Sequence, residues 1–489
     1  MNTQLRHLAV FASILIAVLI GATTYWQSWA GGELANRQGN AIQAIAQLQI
    51  DRGTIYAANG TRLAWSVPHK KGGLTTYSRR YTTNGAFAQV VTGLDSSLTD
   101  YLTGTNTNLT NSFTQEIDRL GGTTVHGDNV KLTLRPSTQT LAERLLAGRC
   151  GAVVALNPQT GAVYALASSP TFNPNLLLQP HGGAKIGKIK GTCGSGFAEG
   201  DRATQGLYPP GSTFKLVTAS AALDSGAFTP SSGFYDPGYC VEYGTKVLNA
   251  SSPDGGGSEV FGNITLAQGL EHSINSVFCK IGIQLGAGKI LSYAKRYGFY
   301  APPPLDTPAN TRSPSGLYHH GRLFNPTDPT TQVDPGRLGF GQEHMLVTPL
   351  QMALVASTIA ERGREPRPYL VQKVTAPDGS VVSSTAPSTM GHPISAKTAG
   401  ELNQMMQSVV TGGTAAGVGF PSSLNVAGKT GTAELGLNQP IYDSWFTCFA
   451  PANNPKVAIA VIVEKQYQGF GASFAAPIAK AILENLLHS

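Results

Sequence analysis

Tyr208-Pro209-Pro210-Gly211-Ser212-Thr213-Phe214-Lys215 reads as a tight turn that feeds a helix. Two prolines and a glycine favour the turn, and the uncharged run Leu216 to Leu223, closed by Asp224-Ser225-Gly226, suits a helix buried on most sides. Residues at i and i+3 of a helix share a face with their Cβ atoms about 5–6 Å apart, so Lys215 can stand beside the Ser212 hydroxyl and accept its proton. Ser and Lys at this spacing arise about once or twice by chance in a chain of this length, usually on a solvated face, so partners elsewhere decide what the pair means.

The chain of 489 residues suggests about two to four domains. Its 57 Gly and 30 Pro follow no period, which points to many turns and excludes collagen-like or solenoid repeats. The formal charge of +7 comes with no basic run longer than Lys70-Lys71 or Arg79-Arg80, so no nucleic-acid partner is expected. Between Arg6 and Glu33 there is no Asp, Glu, Lys or Arg, and Leu8 to Tyr25 is long and apolar enough to span a bilayer. One Arg before the span and Trp26 and Trp29 after it place the N-terminus in the cytoplasm and the rest outside. The competing reading is a cleaved signal peptide with Gly21-Ala22-Thr23 as its small-residue site. Export would put Cys150, Cys193, Cys240, Cys279 and Cys448 where disulfides persist, and Cys240 with Cys279 is the expected pair. No CxxC or Cys/His spacing suggests a metal, and no cofactor is expected.

Outward from the nucleophile turn, residues 33–48 read as a juxtamembrane helix, and Asp51 to Ala64, with Asn59-Gly60 at its centre, as a hairpin. The Thr-, Asn- and Gly-rich stretch 67–127 reads as a small mixed domain without chemistry. The sequons at Asn59, Asn108 and Asn263 matter only in a eukaryotic secretory route. A strand at 130–134, a helix at 138–146 and an apolar hairpin at 152–166 open the large domain, and 182–200 reads as a flexible connection. Residues 302–335 read as a Pro-rich surface loop with His319 and His320 solvated. Strands at 445–449 and 457–463 with a closing helix at 476–487 imply an antiparallel sheet with helices packed on it. The expected architecture is thus α/β (α+β): a tail and anchor at 1–32, a pedestal or dimerisation-type domain at 33–130, and a domain with a central antiparallel sheet flanked by helices at 131–489.

Lys429-Thr430-Gly431, followed by Thr432, is the second anchor, since a fixed tripeptide arises by chance in about one such chain in ten. Beside the Ser212 helix it would add a second ammonium, two hydroxyls and a glycine leaving room for a ligand backbone. Ser273-Ile274-Asn275, sixty-one residues after Ser212, can turn Ser273 and Asn275 to one side with Ile274 behind. In this order, Ser-x-x-Lys, Ser-x-Asn and Lys-Thr-Gly resemble the penicillin-binding protein and serine β-lactamase superfamily. Asp51 to Ile55, Leu132 to Leu134, Asn157 to Gly161, Arg202 to Gly206, Gly339 to Gln342 and Val347 to Ala353 extend the likeness, over residues 50–485, to monofunctional class B penicillin-binding proteins. Two departures are Ile274 in the middle motif and Arg135 where an acidic residue is usual.

The resemblance implies a peptidoglycan D,D-transpeptidase of the bacterial inner membrane that also binds β-lactam antibiotics, with a transpeptidase domain as the large unit. It implies Ser212 as acyl carrier, Lys215 as base, Ser273 as proton relay and Lys429 as the cation that helps keep Lys215 neutral. Asn275, Thr430, Gly431 and Thr432 would bind the stem peptide, with the N–H groups of Ser212 and Thr432 as oxyanion hole. A membrane-embedded glycan polymerase of the shape-and-division family is the implied partner. The rival readings are a serine β-lactamase, which needs a deacylating base although this chain has no Glu-x-x-x-Asn element between Asn275 and Lys429 and only Glu434…Asn438 after it, a D,D-carboxypeptidase, and a non-catalytic penicillin-binding sensor or division scaffold.

Overall fold

The structure, a computed structural model, describes residues 2–25, 48–105, 125–194, 200–242, 244–249, 259–435 and 440–488. Helix α1 (Asn2–Tyr25) opens the chain. Among the described residues no helix is long and apolar enough to cross a membrane. Within α1 the described side chains are His7 and those from Val10 onward, where Val10, Phe11, Leu15, Leu19 and Ile20 are exposed. Most of the expected juxtamembrane helix, and Asn108, lie outside the described residues.

Strands β1 (Ile55–Tyr56), β2 (Arg62–Lys71) and β3 (Leu74–Tyr81), helix α2 (Ala88–Ser97) and strand β4 (Asn129–Leu132) form the small unit. The Asn59-Gly60 turn joins β1 to β2 antiparallel, as that dipeptide favours. The large unit follows with α3 (Pro136–Leu146), β5 (Gly151–Leu156) and β6 (Val163–Ser169). Arg135 lays its guanidinium 3.9 Å from the ring centre of Tyr164, which gives that unusual position a packing role. After the nucleophile turn come α4 (Lys215–Asp224), the hairpin β7 (Tyr239–Glu242) and β8 (Thr245–Leu248), α5 (Asn275–Leu285), α6 (Pro335–Gly339) and α7 (Pro349–Ala360). Strands β9 (Val371–Thr375) and β10 (Val381–Ser384), α8 (Ala396–Thr411), β11 (Ala427–Glu434), β12 (Ile441–Ala450), β13 (Val457–Tyr467) and α9 (Ala475–Leu487) complete the chain.

The central sheet runs β11-β12-β13-β5-β6, every pair antiparallel. All of β5 and the first eight residues of β13 are buried, which requires cover on both faces and explains their unbroken apolar sequence. Helices α3 and α9 pack on each other and on the sheet, and α7, buried along its whole length, does so with α8. The second sheet has the order β10-β9-β4-β1-β2-β3, so strands from after residue 370 return to complete the small unit and cross the boundary expected at 130.

Three expectations need correction. The stretch 182–200 is not all connection, because Gly182–Ile186 makes a short helix with Ile186 buried. The Pro-rich loop contains a β-hairpin, Gly316–His319 with Arg322–Phe324, whose tip carries the exposed His319 and His320. The disulfide is Cys150–Cys193, while Cys240, Cys279 and Cys448 are free and buried. Cys279 instead donates its thiol to Glu242 Oε1 at 3.0 Å.

Candidate active site

Ser212 stands half-buried in a 3₁₀ turn, Gly211–Phe214, that leads directly into α4, so Lys215 is the first residue of the α-helix and is wholly buried. Gly211 has φ +50°, and a Cβ there would lie 2.8 Å from the Thr432 carbonyl oxygen. A Cβ on Gly431 would lie 2.9 Å from both Thr213 Cγ2 and Trp445 Cβ. Both glycines therefore let the nucleophile turn and strand β11 approach backbone to backbone. That approach sets the Ser212 and Thr432 main chains side by side.

Lys215 Nζ donates to Ser273 O at 2.6 Å and Asn275 Oδ1 at 2.8 Å, with Ser273 Oγ at 3.4 Å. Lys429 Nζ donates to the same Ser273 Oγ at 2.8 Å and to Thr430 O at 3.0 Å. One hydroxyl thus links the two buried ammonium groups. Ser273 holds φ +59°, an unfavourable conformation for a residue with a Cβ, just before α5, and Ile274 is buried behind it. Asn275 turns its amide nitrogen to Leu248 O at 3.1 Å, so the β7–β8 hairpin supports the motif. Thr430 and Thr414 share a hydroxyl contact at 2.6 Å, and the Thr432 hydroxyl accepts from Gly471 N at 3.4 Å.

Burial is the main force on both amines. It pushes the Lys215 pKa well below the ordinary lysine value, with Lys429 as the next cause, and brings Lys429 down to about 7. A neutral lysine has two N–H groups and one lone pair. Ser273 O and Asn275 Oδ1 can take the two N–H groups of a neutral Lys215, with the Ser273 hydroxyl as its third neighbour at 3.4 Å.

The four residues named as catalytic and the four named for binding therefore fall on three elements, the 3₁₀ turn with α4, the Ser273 turn with α5, and β11. Lys215, Ser273, Asn275, Lys429 and Thr430 form one continuous network, while Gly431 and Thr432 meet the turn that bears Ser212 through backbone packing. Behind that turn is a support that motif reading did not single out. Trp445 Nε1 donates to Pro209 O at 2.9 Å and its ring meets Tyr208 edge-on at 6.1 Å. Tyr208 Oη and Arg202 Nε both donate to Glu464 Oε1, at 2.8 and 2.7 Å, all of them buried. Arg202 and Tyr208 were visible within the family-like stretches, but Glu464, inside an apolar strand, was signalled only by its charge.

The profile of the penicillin binding protein transpeptidase domain matches residues 151–484. The peptidoglycan D,D-transpeptidase PbpA of Mycolicibacterium smegmatis is 33% identical over 512 residues, covering 99% of this chain and 98% of that protein. The protein of the same name from Mycobacterium tuberculosis is 31% identical over 510 residues, covering 100% of this chain and 99% of that one. Among solved structures, the ceftriaxone acyl-enzyme complex of penicillin-binding protein A from M. tuberculosis superposes with a TM-score of 0.76 at 29% identity, covering 90% of this chain and 99% of that chain.

Proposed function

The chain belongs to the penicillin-binding protein transpeptidase family, and from that premise we propose that it is a serine-type peptidoglycan D,D-transpeptidase. It forms an acyl-enzyme on Ser212 with the D-Ala-D-Ala end of a stem peptide, passes the acyl group to an amine of a neighbouring stem, and is acylated by β-lactams. The observation that carries this reading is the buried Lys215–Ser273–Lys429 chain on one shared hydroxyl.

The lone pair of Lys215 takes the Ser212 proton as Oγ attacks the carbonyl carbon of the penultimate D-Ala. The N–H groups of Ser212 and Thr432 hold the oxyanion. Collapse of the tetrahedral intermediate breaks the C–N bond, and Ser273 hands the proton from Lys215 to the departing D-Ala amine. The acceptor amine then attacks the ester by the reverse proton path, and Ser212 leaves with its hydrogen restored. Strand β11 is an edge of the central sheet, so the stem peptide can add to it as a further strand. Lys429, Thr430 and Thr432 receive its terminal carboxylate, Gly431 leaves room for its backbone, and Asn275 hydrogen-bonds its amide in exchange for the Leu248 O contact.

The apolar run Leu8 to Tyr25, without Asp, Glu, Lys or Arg, supports anchoring of the chain at the bacterial inner membrane. The N-terminus is cytoplasmic, and the small unit, β1 to β4 with β9 and β10, forms a pedestal outside for the catalytic domain. A membrane glycan polymerase of the shape-and-division family is the partner reached through anchor and pedestal. Loss of membrane partition on deleting residues 1–32 checks the anchor.

The activity is tested by supplying the purified protein with a D-Ala-D-Ala stem peptide and a second stem that offers only an amine. Cross-linked dimer and free D-Ala should appear one for one. Free D-Ala without dimer would make the protein a carboxypeptidase, and rapid penicillin hydrolysis would make it a β-lactamase.

A further inference from the structure

One helical turn beyond Asn275, α5 carries Cys279 into a second buried cluster. The Sγ atoms of Cys240 and Cys279 and a carboxylate oxygen of Glu242 all lie within 4.8 Å of one another. At the start of α6, Asp334 is 3% exposed and caps that helix by accepting from Arg337 N at 2.9 Å through Oδ1. Its other oxygen, Oδ2, is buried without a hydrogen bond. The start of α6 is pressed into the cluster as well, since a Cβ on Gly336 would lie 2.1 Å from Glu242 Oε1 and 3.1 Å from Cys279 Sγ.

Three groups that become anions on losing a proton are therefore gathered in one interior. A well-packed core gains nothing from such a set, because each charge is costly when buried and each proton needs a partner. A divalent cation satisfies all three at once. Bonds of about 2.3 Å to sulfur and 2.0–2.2 Å to oxygen put tetrahedral ligand atoms about 3.5–3.8 Å apart, and the three atoms here all lie within 4.8 Å of one another. Two thiols with a carboxylate suit a tetrahedral, borderline-soft ion.

We propose that Cys240, Glu242 and Cys279 form a binding site for a divalent cation of the zinc type, with Asp334 at the start of α6 as its outer neighbour. The two thiol protons, and that of Glu242 where it carries one, pass to water, two metal–sulfur bonds and one metal–oxygen bond to Glu242 form, a water takes the fourth position, and no electron changes hands. The ion fastens β7 and α5 together. It is thereby a brace for the reaction centre, because α5 begins at Asn275, which holds Lys215, and the β7–β8 hairpin holds Asn275 through Leu248 O.

The test uses the full chain with its Cys150–Cys193 disulfide intact, stripped with a chelator, and titrated with cobalt(II) and with zinc against a chromophoric indicator. One equivalent should bind with a thiolate-to-cobalt charge-transfer band, and zinc should raise the melting temperature. Cys240→Ser and Cys279→Ser should each abolish the band, and Asp334→Asn should weaken zinc binding at least about 10-fold. If those variants fold poorly, alkylation of Cys240 and Cys279 in the wild-type chain reads the same site, with zinc expected to slow both. Absence of the band in the wild-type chain, its survival in Cys279→Ser, or a Cys240–Cys279 cross-linked peptide two hydrogens lighter in the chain as purified would each overturn the assignment.

Discussion

Helix α5 joins two buried clusters that meet the same desolvation problem with opposite charge. At its start, Lys215 and Lys429 share Ser273, and burial drives both pKa values down, Lys429 to about 7. One turn on, Cys279 and Glu242 sit with Cys240, and there the Cys240 contact and then burial drive the Cys279 thiol up while burial drives the Glu242 carboxyl up. The interior favours the neutral form in both places. For an amine the neutral form exposes a lone pair and makes a base, whereas for thiols and carboxyls it stores protons that a cation can replace. The same physics therefore yields a catalyst at one end of the turn and a ligand set at the other.

The comparison breaks most visibly at Lys215. Lys215→Ala removes the base, and the second-order rate of Ser212 acylation by a fluorescent penicillin should fall about 10²–10⁴-fold with the fold intact by circular dichroism. Glu464→Ala comes next, because it removes the buried carboxylate that both Arg202 and Tyr208 donate to behind the nucleophile turn. Urea unfolding should show a loss of about 3–5 kcal/mol.

Lys429 sharpens the contrast through pH. Its folded pKa of about 7 lies below the unfolded value of about 10.4, so between those limits the unfolded chain holds the extra proton and stability rises with pH. Lys429→Met should flatten that part of the stability profile. The same change removes the second cause of the low Lys215 pKa, so the acylation profile should move to higher pH, only in part, because burial is the larger cause. The smallest effect belongs to Thr414→Val, which leaves the Thr430 hydroxyl without its partner at 2.6 Å and should cost about 1 kcal/mol in thermal unfolding.

The reaction centre was largely legible because its residues come in short motifs whose internal spacing survives folding. Ser212 and Lys215 are one turn apart, Ser273 and Asn275 flank a buried Ile274, and Lys429 to Thr432 lie along one strand, so local geometry already says which groups can face together. The apolar runs at 152–166 and 457–463 likewise marked strands covered on both faces. What stayed hidden depends on contacts between distant segments. Nothing near Cys150 points to Cys193 rather than to Cys240, and nothing near Glu242 points to Asp334. The short strands Val371–Thr375 and Val381–Ser384 join the small unit only because the fold returns them there. Gly182–Ile186 and the hairpin at 316–324 were obscured by glycine and proline, which mark turns but do not count the elements between them.

The central claim is that Ser212 is the acyl carrier and that Lys215 activates it. Fluorescent penicillin labelling of wild-type, Ser212→Ala and Lys215→Ala protein, with mass mapping of the labelled peptide, tests it most directly. The label should sit on Ser212, vanish in Ser212→Ala, and form far more slowly in Lys215→Ala. Labelling of another residue, undiminished labelling of Ser212→Ala, or a wild-type rate in Lys215→Ala would contradict the account.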